Sequence, residues 1–350
     1  MKLKVVAENP LEGVVLALGI APVTIVDTHM SFLRSRAIMV ATKLGVFDAI
    51  AGGAKTAVQI AAACGIEAHA TEKLLSALVG SEYVAQSGAE YTLRPVARKW
   101  TLTDSPYSLR DKILFEFIEW KLVEGVEAYV RTGQPADLHA GRDPEEWRLY
   151  QRAMRALAGM AAPEVIRRVP MPAGATAMLD IGGSHGFYSV SWCRKLPGLT
   201  SVILDLPSAV EQAAPILAHE NMGDRVRHRK GSALTDDLGE NSWDLVFMAQ
   251  LAHHFDDETN RQLAMRVARA LKPGGVFVML ELIRPASAQR SGQLGSLLDL
   301  YFALTSQSGT WSVAEMEQWQ RDAGLMVKKP VFLRTMPGAA AVIATKPTPR

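Results

Sequence analysis

Cysteine is scarce in this sequence: Cys64 and Cys193 are the only two in 350 residues, and they stand far apart in unlike contexts. So few cysteines argue against a disulfide framework and against a cysteine metal site. We therefore expect both thiols to pack as small apolar groups in a reducing compartment, which makes the cytoplasm the expected location.

Long apolar runs and a strong charge of one sign are also missing. No stretch approaches the ~20 uninterrupted apolar residues that cross a bilayer. The N-terminal apolar run is interrupted by acids and prolines and has no small-residue cleavage site, so a signal peptide is not expected. The formal net charge is +2. This near balance predicts neither a nucleic-acid surface nor a membrane surface as a partner.

The length favours about two domains, and the spacing of apolar residues differs between the two halves of the sequence. From about residue 24 to 170, apolar residues recur at helical spacing. From Ala175 onward, short apolar runs alternate with helical segments, which predicts strand-helix units and a parallel sheet. These runs are continuously apolar, as expected for strands covered by helices on both faces. We expect a Rossmann-like, doubly wound, mostly parallel α/β sheet after a mainly helical N-terminal domain.

Residues 56–93, TAVQIAAACGIEAHATEKLLSALVGSEYVAQSGAEYTL, predict a helix, a turn, a second helix and a hairpin around Ser87 and Gly88. This is a winged-helix pattern, so a DNA-binding regulator that senses a small molecule is an alternative. The second helix, about residues 69–79, offers Lys73 as its single cation, whereas an element that contacts phosphates normally carries several. We favour a small helical domain used for packing or pairing.

A glycine-rich loop follows the first strand of the C-terminal half, in AMLDIGGSHGFYSV, residues 177–190. Such a loop before a helix is where an open parallel sheet binds a nucleotide-like ligand. A dinucleotide fingerprint would need glycine where Ile181 stands, and no cation is present to hold a phosphate. Asp180 precedes the loop, and Asp205 lies 19 residues beyond Gly186, where a carboxylate binds ribose hydroxyls. S-adenosylmethionine, a cationic ribose ligand without phosphate, fits this pattern.

A family resemblance covers the whole chain. Residues 175–347 resemble the catalytic domain of class I S-adenosylmethionine-dependent methyltransferases. The chain resembles the small-molecule O-methyltransferases of plant phenolic and bacterial natural-product pathways, which carry an N-terminal winged-helix dimerisation domain. The motifs that carry the resemblance are LDIGGSHG, LDLP, RVRHRKGSALTDDL, QLAHHFDDE, ALKPGGVFVMLELI and GTWSVAEMEQWQRDAGL. It implies a homodimerisation domain at 1–110, connecting helices that roof the substrate pocket at 111–172, and a cofactor-binding catalytic domain at 173–350.

The resemblance implies S-adenosyl-L-methionine as cofactor, with S-adenosyl-L-homocysteine as product. The positions that match the family's cofactor site are Asp180, Gly182, Gly183, Ser184, Gly186, Asp205, Leu206, Gly231, Ser232, Ala233, Ala249 and Gln250. Two of them depart from the family pattern. Ser184 replaces a glycine, which narrows the space expected for the cofactor's carboxylate, and Ser232 replaces an aspartate expected near the adenine.

The segment LAHHFDDE, residues 251–258, follows a buried apolar strand and so should lie near the ligand crevice. A hydroxyl acceptor needs a base, and a histidine contributes ~10²- to 10⁴-fold in that role. In the family motif L-H-D-W-x-D-E the histidine is that base, which implies the role for His253. His254 then replaces the aspartate and Phe255 the tryptophan. We expect Asp256 and Asp257 to cap the following helix.

A metal site at the two histidines is an alternative. Neighbouring side chains on an extended segment project to opposite sides, so His253 and His254 would rarely reach one ion. A site would also need a third ligand, such as Glu281 or His185. We expect no bound metal.

Glu281, in VFVMLELI, matches the family's glutamate that braces the catalytic histidine. A carboxylate on the far ring nitrogen would hold the tautomer of His253. The family's second bracing glutamate is missing, because Val313 follows Ser312. This loss leaves open a C- or N-methyltransferase on the same scaffold.

The acceptor is expected to be a small aromatic molecule of the secondary-metabolite type, methylated on a hydroxyl. The resemblance implies that its pocket is lined by Tyr150, Met154, His254, Asp299, Tyr301 and Phe302.

Overall fold

The computed structural model describes residues 3–136, 143–284, 287–306 and 308–349. The described residues up to 118 and those from 119 onward form two compact units, which are described separately. The division at residues 110 and 172 expected from the sequence stays a prediction. No helix of the described residues is both long enough and apolar enough to span a bilayer.

The first unit is mainly helical. Its elements are α1 (Pro10–Ala17), α2 (Val23–Ile25), a π-helical turn (Val26–Met30), α3 (Ser31–Lys43), α4 (Val46–Ala51), β1 (Lys55–Thr56), α5 (Ala57–Cys64), α6 (Ala68–Gly80), β2 (Val84–Ser87), β3 (Glu90–Leu93) and α7 (Pro95–Trp100). Helix α8 (Arg110–Val123) runs from the end of this unit into the second.

Local chemistry sets the ends of α5 and α6. Thr56 and Gln59 form a capping box that begins α5, and Gly65 ends it in the left-handed region at φ 66°. The Glu67 carboxylate accepts hydrogen bonds from the backbone N–H groups of His69 and Ala70 at the start of α6. Strands β2 and β3 pair antiparallel around Ser87 and Gly88. The predicted order of helix, turn, helix and hairpin is confirmed.

The second unit alternates strands and helices. Its elements are α9 (Val126–Thr132), α10 (Pro144–Arg168), β4 (Ala177–Ile181), α11 (Phe187–Lys195), β5 (Thr200–Asp205), α12 (Pro207–His219), β6 (Val226–Lys230), β7 (Trp243–Ala249), α13 (Asp257–Ala270), β8 (Leu271–Leu282), α14 (Ala288–Thr305), α15 (Val313–Asp322), β9 (Met326–Val327), β10 (Val331–Phe332) and β11 (Ala339–Thr345).

The strands form one sheet in the order β10-β11-β8-β7-β4-β5-β6, with β9 paired to β11. Strands β4 to β8 are parallel, and β11 runs antiparallel to β8. Because β4 lies between β5 and β7, the strand order reverses there, and the loops after β4, β5 and β7 leave the same edge. This is where an open α/β sheet binds ligands.

Both faces of the sheet are buried. Along β7, Leu245 and Phe247 pack into one apolar cluster, together with α10 and α11, while Val246 and Met248 pack into another with α13 and α15. Side chains of a strand alternate between faces, so helices cover the sheet on both sides. The predicted mainly parallel α/β sheet with a helical N-terminal region is confirmed.

Candidate active site

The loop between β4 and α11 can approach its neighbours closely because its glycines have no Cβ atom. A Cβ on Gly183 would lie 2.4 Å from the Asp180 Cγ, and one on Gly186 would lie 2.5 Å from the Ile203 Cδ1. Gly186 also has φ 73°, in the left-handed region that favours glycine. A Cβ on Gly182 would lie 2.9 Å from the Leu251 Cδ2, so the glycine loop adjoins the segment after β7.

Ser184 is the most connected residue of this loop. Its N–H donates to the Asp205 Oδ2 at 2.9 Å, its carbonyl accepts from the His228 Nε2 at 2.7 Å, and its hydroxyl donates to the buried Gln151 Oε1. Its φ of 49° is in the left-handed region. The loop is thus tied to the end of β5, to β6 and to α10. Sequence reasoning missed Gln151 and His228.

The two acids of the site differ in their surroundings. The Asp180 carboxylate is 1% exposed, its Oδ2 accepts from the Ser189 hydroxyl at 2.6 Å, and its Oδ1 has no partner among the described residues. Burial raises the pKa of Asp180 to about 7, and the nearby Asp205 adds to the rise. Asp205 is half-buried and accepts from the N–H groups of Ser184 and Leu206. Burial also raises its pKa.

The raised pKa of Asp180 predicts a pH dependence of stability. Its usual value is 3.8, and its folded value is about 7. Between these values the folded chain keeps a proton that the unfolded chain releases, so this residue's contribution to stability is full below pH ~4 and lost as pH rises through ~7. We expect Asp180→Asn to remove this contribution. Urea unfolding of wild type and variant should show curves of free energy against pH that diverge below pH 7.

Asp224→Asn is the control, because Asp224 is an exposed acid in the turn before β6. This variant should follow the wild-type pH dependence. Parallel curves for wild type and Asp180→Asn between pH 4 and 7 would contradict the prediction.

The remaining predicted cofactor positions follow the same sheet edge. Gly231 N–H donates to the Asp205 carbonyl at 2.9 Å. Ser232 closes the next turn by accepting from the N–H groups of Thr235 and Asp236, and the Ala233 carbonyl accepts from Arg266. Three further predicted positions sit at strand ends: the exposed Leu206, the half-buried Ala249, and Gln250, whose amide donates to the Leu280 carbonyl.

His253 lies in a short 3-10 turn, Ala252–His254, that follows β7. Glu281 of β8 reaches it from the neighbouring strand: one oxygen accepts from the N–H groups of Leu251 and Ala252 at 2.7 and 2.8 Å, and the other lies 3.1 Å from the His253 Nδ1. Both side chains are buried, at 7% and 2% exposure. With Nδ1–H donating to the carboxylate, Nε2 is left with the lone pair that can accept a proton.

The expectation that the two histidines lie on an extended segment and project to opposite sides is wrong. The 3-10 turn folds the segment so that the rings of His253 and His254 lie 4.2 Å apart. The Phe302 ring of α14 lies 4.5 Å from His253.

The helix-cap prediction is confirmed for Asp256, whose side chain accepts from the Thr259 N–H at 2.8 Å. Asp257 lies within the first turn of α13 and does not cap it.

In the part of the chain that the structure describes, no group of three or more His, Cys, Asp or Glu side chains has the geometry to hold a metal ion. His185, a potential third ligand in the sequence, lies in the glycine loop and accepts a hydrogen bond from the Phe187 N–H at 3.1 Å. Burial, with Arg155 and His228 nearby, lowers its pKa to about 3. It is therefore a buried neutral side chain of the loop.

The predicted acceptor residues fall into three groups. Phe302 and His254 both contact His253. On α14, the Tyr301 hydroxyl donates to the Glu119 Oε1 at 2.8 Å, and the Asp299 carboxylate accepts from the Thr310 hydroxyl. Tyr150 and Met154 lie on α10, on either side of Gln151, which contacts the glycine loop; Tyr150 packs edge to face on Trp147 at 5.6 Å.

Comparison with known proteins decides the family. The model of the O-methyltransferase domain matches residues 108–326, and the model of the O-methyltransferase dimerisation domain matches residues 26–103. The chain belongs to the O-methyltransferase family. It is therefore an enzyme of the S-adenosyl-L-methionine-dependent O-methyltransferase family, and the predicted family, enzyme class and cofactor are confirmed.

Individual relatives of this O-methyltransferase match over most of their length. The 3-hydroxy-5-methyl-1-naphthoate 3-O-methyltransferase of Streptomyces sahachiroi is 24% identical over 338 residues, covering 92% of this chain and 94% of that protein. The N,N-dimethyltransferase OxyT of Streptomyces rimosus is 24% identical, covering 91% of this chain and 94% of its own. The structure of human N-acetylserotonin methyltransferase in complex with S-adenosylmethionine has a TM-score of 0.82 at 21% identity, covering 99% of this chain and 100% of that chain.

Proposed function

We propose that this O-methyltransferase methylates a hydroxyl group of an aromatic small molecule of the secondary-metabolite type, with His253 as general base. The observation that carries the proposal is the buried contact of 3.1 Å between the His253 Nδ1 and Glu281. When bound, S-adenosyl-L-methionine supplies an electrophilic methyl group and leaves as S-adenosyl-L-homocysteine. The Nε2 of His253 accepts the acceptor's hydroxyl proton, and Glu281 stabilises the imidazolium that results.

The aromatic acceptor is supported by the surroundings of His253. Phe302 lies against the imidazole, and Tyr301 packs edge to face on Phe302 at 5.4 Å. Flat apolar side chains beside a base favour a flat apolar acceptor. The names of several curated relatives also specify aromatic acceptors, such as a hydroxynaphthoate and an aminohydroxybenzoate. We propose Tyr150, Met154, His254, Asp299, Tyr301 and Phe302 as the acceptor-binding residues.

The strand-end residues fit the cofactor. The Asp180 Oδ1 is buried without a partner among the described residues and can accept a hydrogen bond, while the loop presents no lysine or arginine for a phosphate. A cationic ligand with ribose hydroxyls matches such acceptors. The residues that would hold it are Asp180, Gly182, Gly183, Ser184, Gly186, Asp205, Leu206, Gly231, Ser232, Ala233, Ala249 and Gln250. Calorimetric titration of S-adenosyl-L-homocysteine into Asp205→Ala tests this set, with Asp224→Ala as control; equal affinities would contradict it.

N-methylation is the second candidate. One relative is named an N,N-dimethyltransferase, and Val313 replaces the second glutamate of the family pattern. An amine acceptor that is already neutral needs less help from a base.

An acceptor panel separates the two candidates. The protein is incubated with methyl-¹³C-labelled cofactor and aromatic acceptors that carry a hydroxyl, an amine or both, and the labelled atom of each product is located by NMR. Label on oxygen supports the proposal, and label exclusively on nitrogen or carbon overturns it. His253→Ala is assayed beside wild type, because full activity of that variant on every accepted substrate would exclude the base role.

We also propose that the chain forms a homodimer through a winged-helix-like domain in residues 1–110. The match to a dimerisation domain at residues 26–103 supports this, as do apolar side chains that stand exposed on α3, including Phe32 at 45% and Leu33 at 48%. Light scattering should give twice the 38.1 kDa chain mass. A monomeric mass at micromolar concentration would contradict the proposal.

A further inference from the structure

We propose that Trp311 is a positioning residue for the general base, because its indole holds the main chain from which the His253 side chain projects. This inference rests on the proposed role of His253. It goes beyond that role by naming a residue that acts on the main chain beside the base.

The main chain of Ala252 is fixed on both sides. Its N–H donates to the Glu281 Oε1 at 2.8 Å. Its carbonyl, which belongs to the peptide that leads into His253, accepts from the Trp311 Nε1 at 2.9 Å and from the Asn260 Nδ2 at 3.0 Å. Ala252 is fully buried. The Phe255 N–H donates to the same carbonyl at 3.1 Å. A buried carbonyl with these three donors has one preferred orientation, and that orientation sets where His253 begins.

Trp311 is itself anchored to the strand that carries Glu281. The Arg284 N–H donates to the Trp311 carbonyl at 2.9 Å, and Ile283 and Trp311 form a parallel β-bridge. The Arg284 guanidinium lies over the indole at 5.6 Å. The end of β8 therefore controls His253 twice, through Glu281 on the ring and through Trp311 on the backbone.

Without the family's second glutamate, the orientation of His253 depends more strongly on the Trp311 contact with the main chain. Val313 carries no carboxylate to brace the imidazole ring, so ring orientation depends on Glu281, on packing against His254 and Phe302, and on the conformation of the 3-10 turn. Trp311, two residues earlier, restrains that turn. A displacement of a reacting group by ~1 Å costs up to ~10²-fold in rate.

Trp319, which packs against Trp311, provides a matched comparison. Its ring packs edge to face on Trp311 at 5.0 Å, and it is fully buried. Its indole Nε1 also donates a hydrogen bond, at 2.8 Å, but to Asp257 in the first turn of α13. Trp311→Phe and Trp319→Phe therefore each remove one indole N–H from one aromatic stack, and only the first removes a donor to Ala252.

The experiment measures kcat and KM for these two variants, for His253→Ala, and for the double variant of His253 and Trp311. We expect Trp311→Phe to lower kcat about tenfold with KM unchanged, and Trp319→Phe to stay within about twofold of wild type. If Trp311 acts through His253, Trp311→Phe has no further effect on the residual activity of His253→Ala. In ¹⁵N-histidine NMR spectra, the His253 resonance shifts in Trp311→Phe and not in Trp319→Phe.

Circular dichroism and binding of S-adenosyl-L-homocysteine establish that each variant is folded. Where Trp311→Phe does not fold, Asn260→Ser removes the other side-chain donor to the same carbonyl, together with that amide's bonds to the Phe255 and Asp256 carbonyls. Its effect should likewise vanish in the His253→Ala background. Equal loss in both tryptophan variants, or a full loss on top of His253→Ala, overturns the inference while the base role stands. Wild-type activity of His253→Ala is a different outcome, and it overturns the proposed function itself.

Discussion

His253→Ala lowers kcat for hydroxyl methylation by about 10²- to 10⁴-fold and leaves the affinity for S-adenosyl-L-homocysteine unchanged. The size of the loss in kcat follows from the usual contribution of a general base to the rate. The cofactor affinity is preserved because the cofactor is assigned to the strand-end residues around Asp180 and Asp205, and His253 is not among them. Steady-state kinetics with saturating cofactor, together with calorimetry, measure the two quantities.

His254→Ala is the control for this prediction. The two rings lie 4.2 Å apart, so both variants remove an imidazole from the same pocket, but Glu281 lies beside the ring of His253. We expect His254→Ala to change KM for the acceptor more than kcat. Equal losses of kcat in the two variants would assign no special role to His253.

Glu281→Gln should be nearly as damaging, with an expected loss in kcat of about 10²- to 10⁴-fold. Glu281 accepts two backbone N–H groups through Oε1, so the glutamine carbonyl takes that position and its NH₂ faces the His253 Nδ1. An NH₂ group cannot accept a hydrogen bond, which forces Nδ1 to be the acceptor and moves the ring proton to Nε2. The nitrogen that should take the acceptor's proton is then already protonated.

Kinetics over a range of pH, with thermal unfolding of the same samples, test this second expectation. Glu317→Gln serves as control, because Glu317 pairs with Arg321 within α15 and glutamine can still accept a hydrogen bond from that guanidinium. It should retain wild-type kcat. A folded Glu281→Gln variant with kcat within about threefold of wild type would show that the tautomer of His253 is not set by this carboxylate.

The fold could be predicted because its determinants are local. Continuous apolar runs that alternate with helical segments specify a parallel sheet, and the ends of parallel strands meet at one edge. This is why Asp205, the glycine loop and His253 were expected near one another from their places after three strands. The cap at Asp256 follows from the same kind of local rule.

The rest of the site depends on contacts between distant segments. Ser184 meets Gln151 across 33 residues, Trp311 meets Ala252 across 59, and Tyr301 meets Glu119 across 182. Periodicity says which face of an element is buried and does not say which partner fills it. The 3-10 turn at His253 was missed for the same reason, since two side chains distant in sequence, Asn260 of α13 and Trp311, donate to the Ala252 carbonyl.

The three bonds of Ser184 bear on the thermodynamics of ligand capture. Glycine-rich loops are conformationally free in isolation, and ordering one residue's backbone costs about 1–2 kcal/mol. Here that ordering is completed during folding, because the N–H, the carbonyl and the hydroxyl of Ser184 already have protein partners. The entropy lost when the cofactor binds is then chiefly that of the cofactor itself, because the loop that receives it is preorganised.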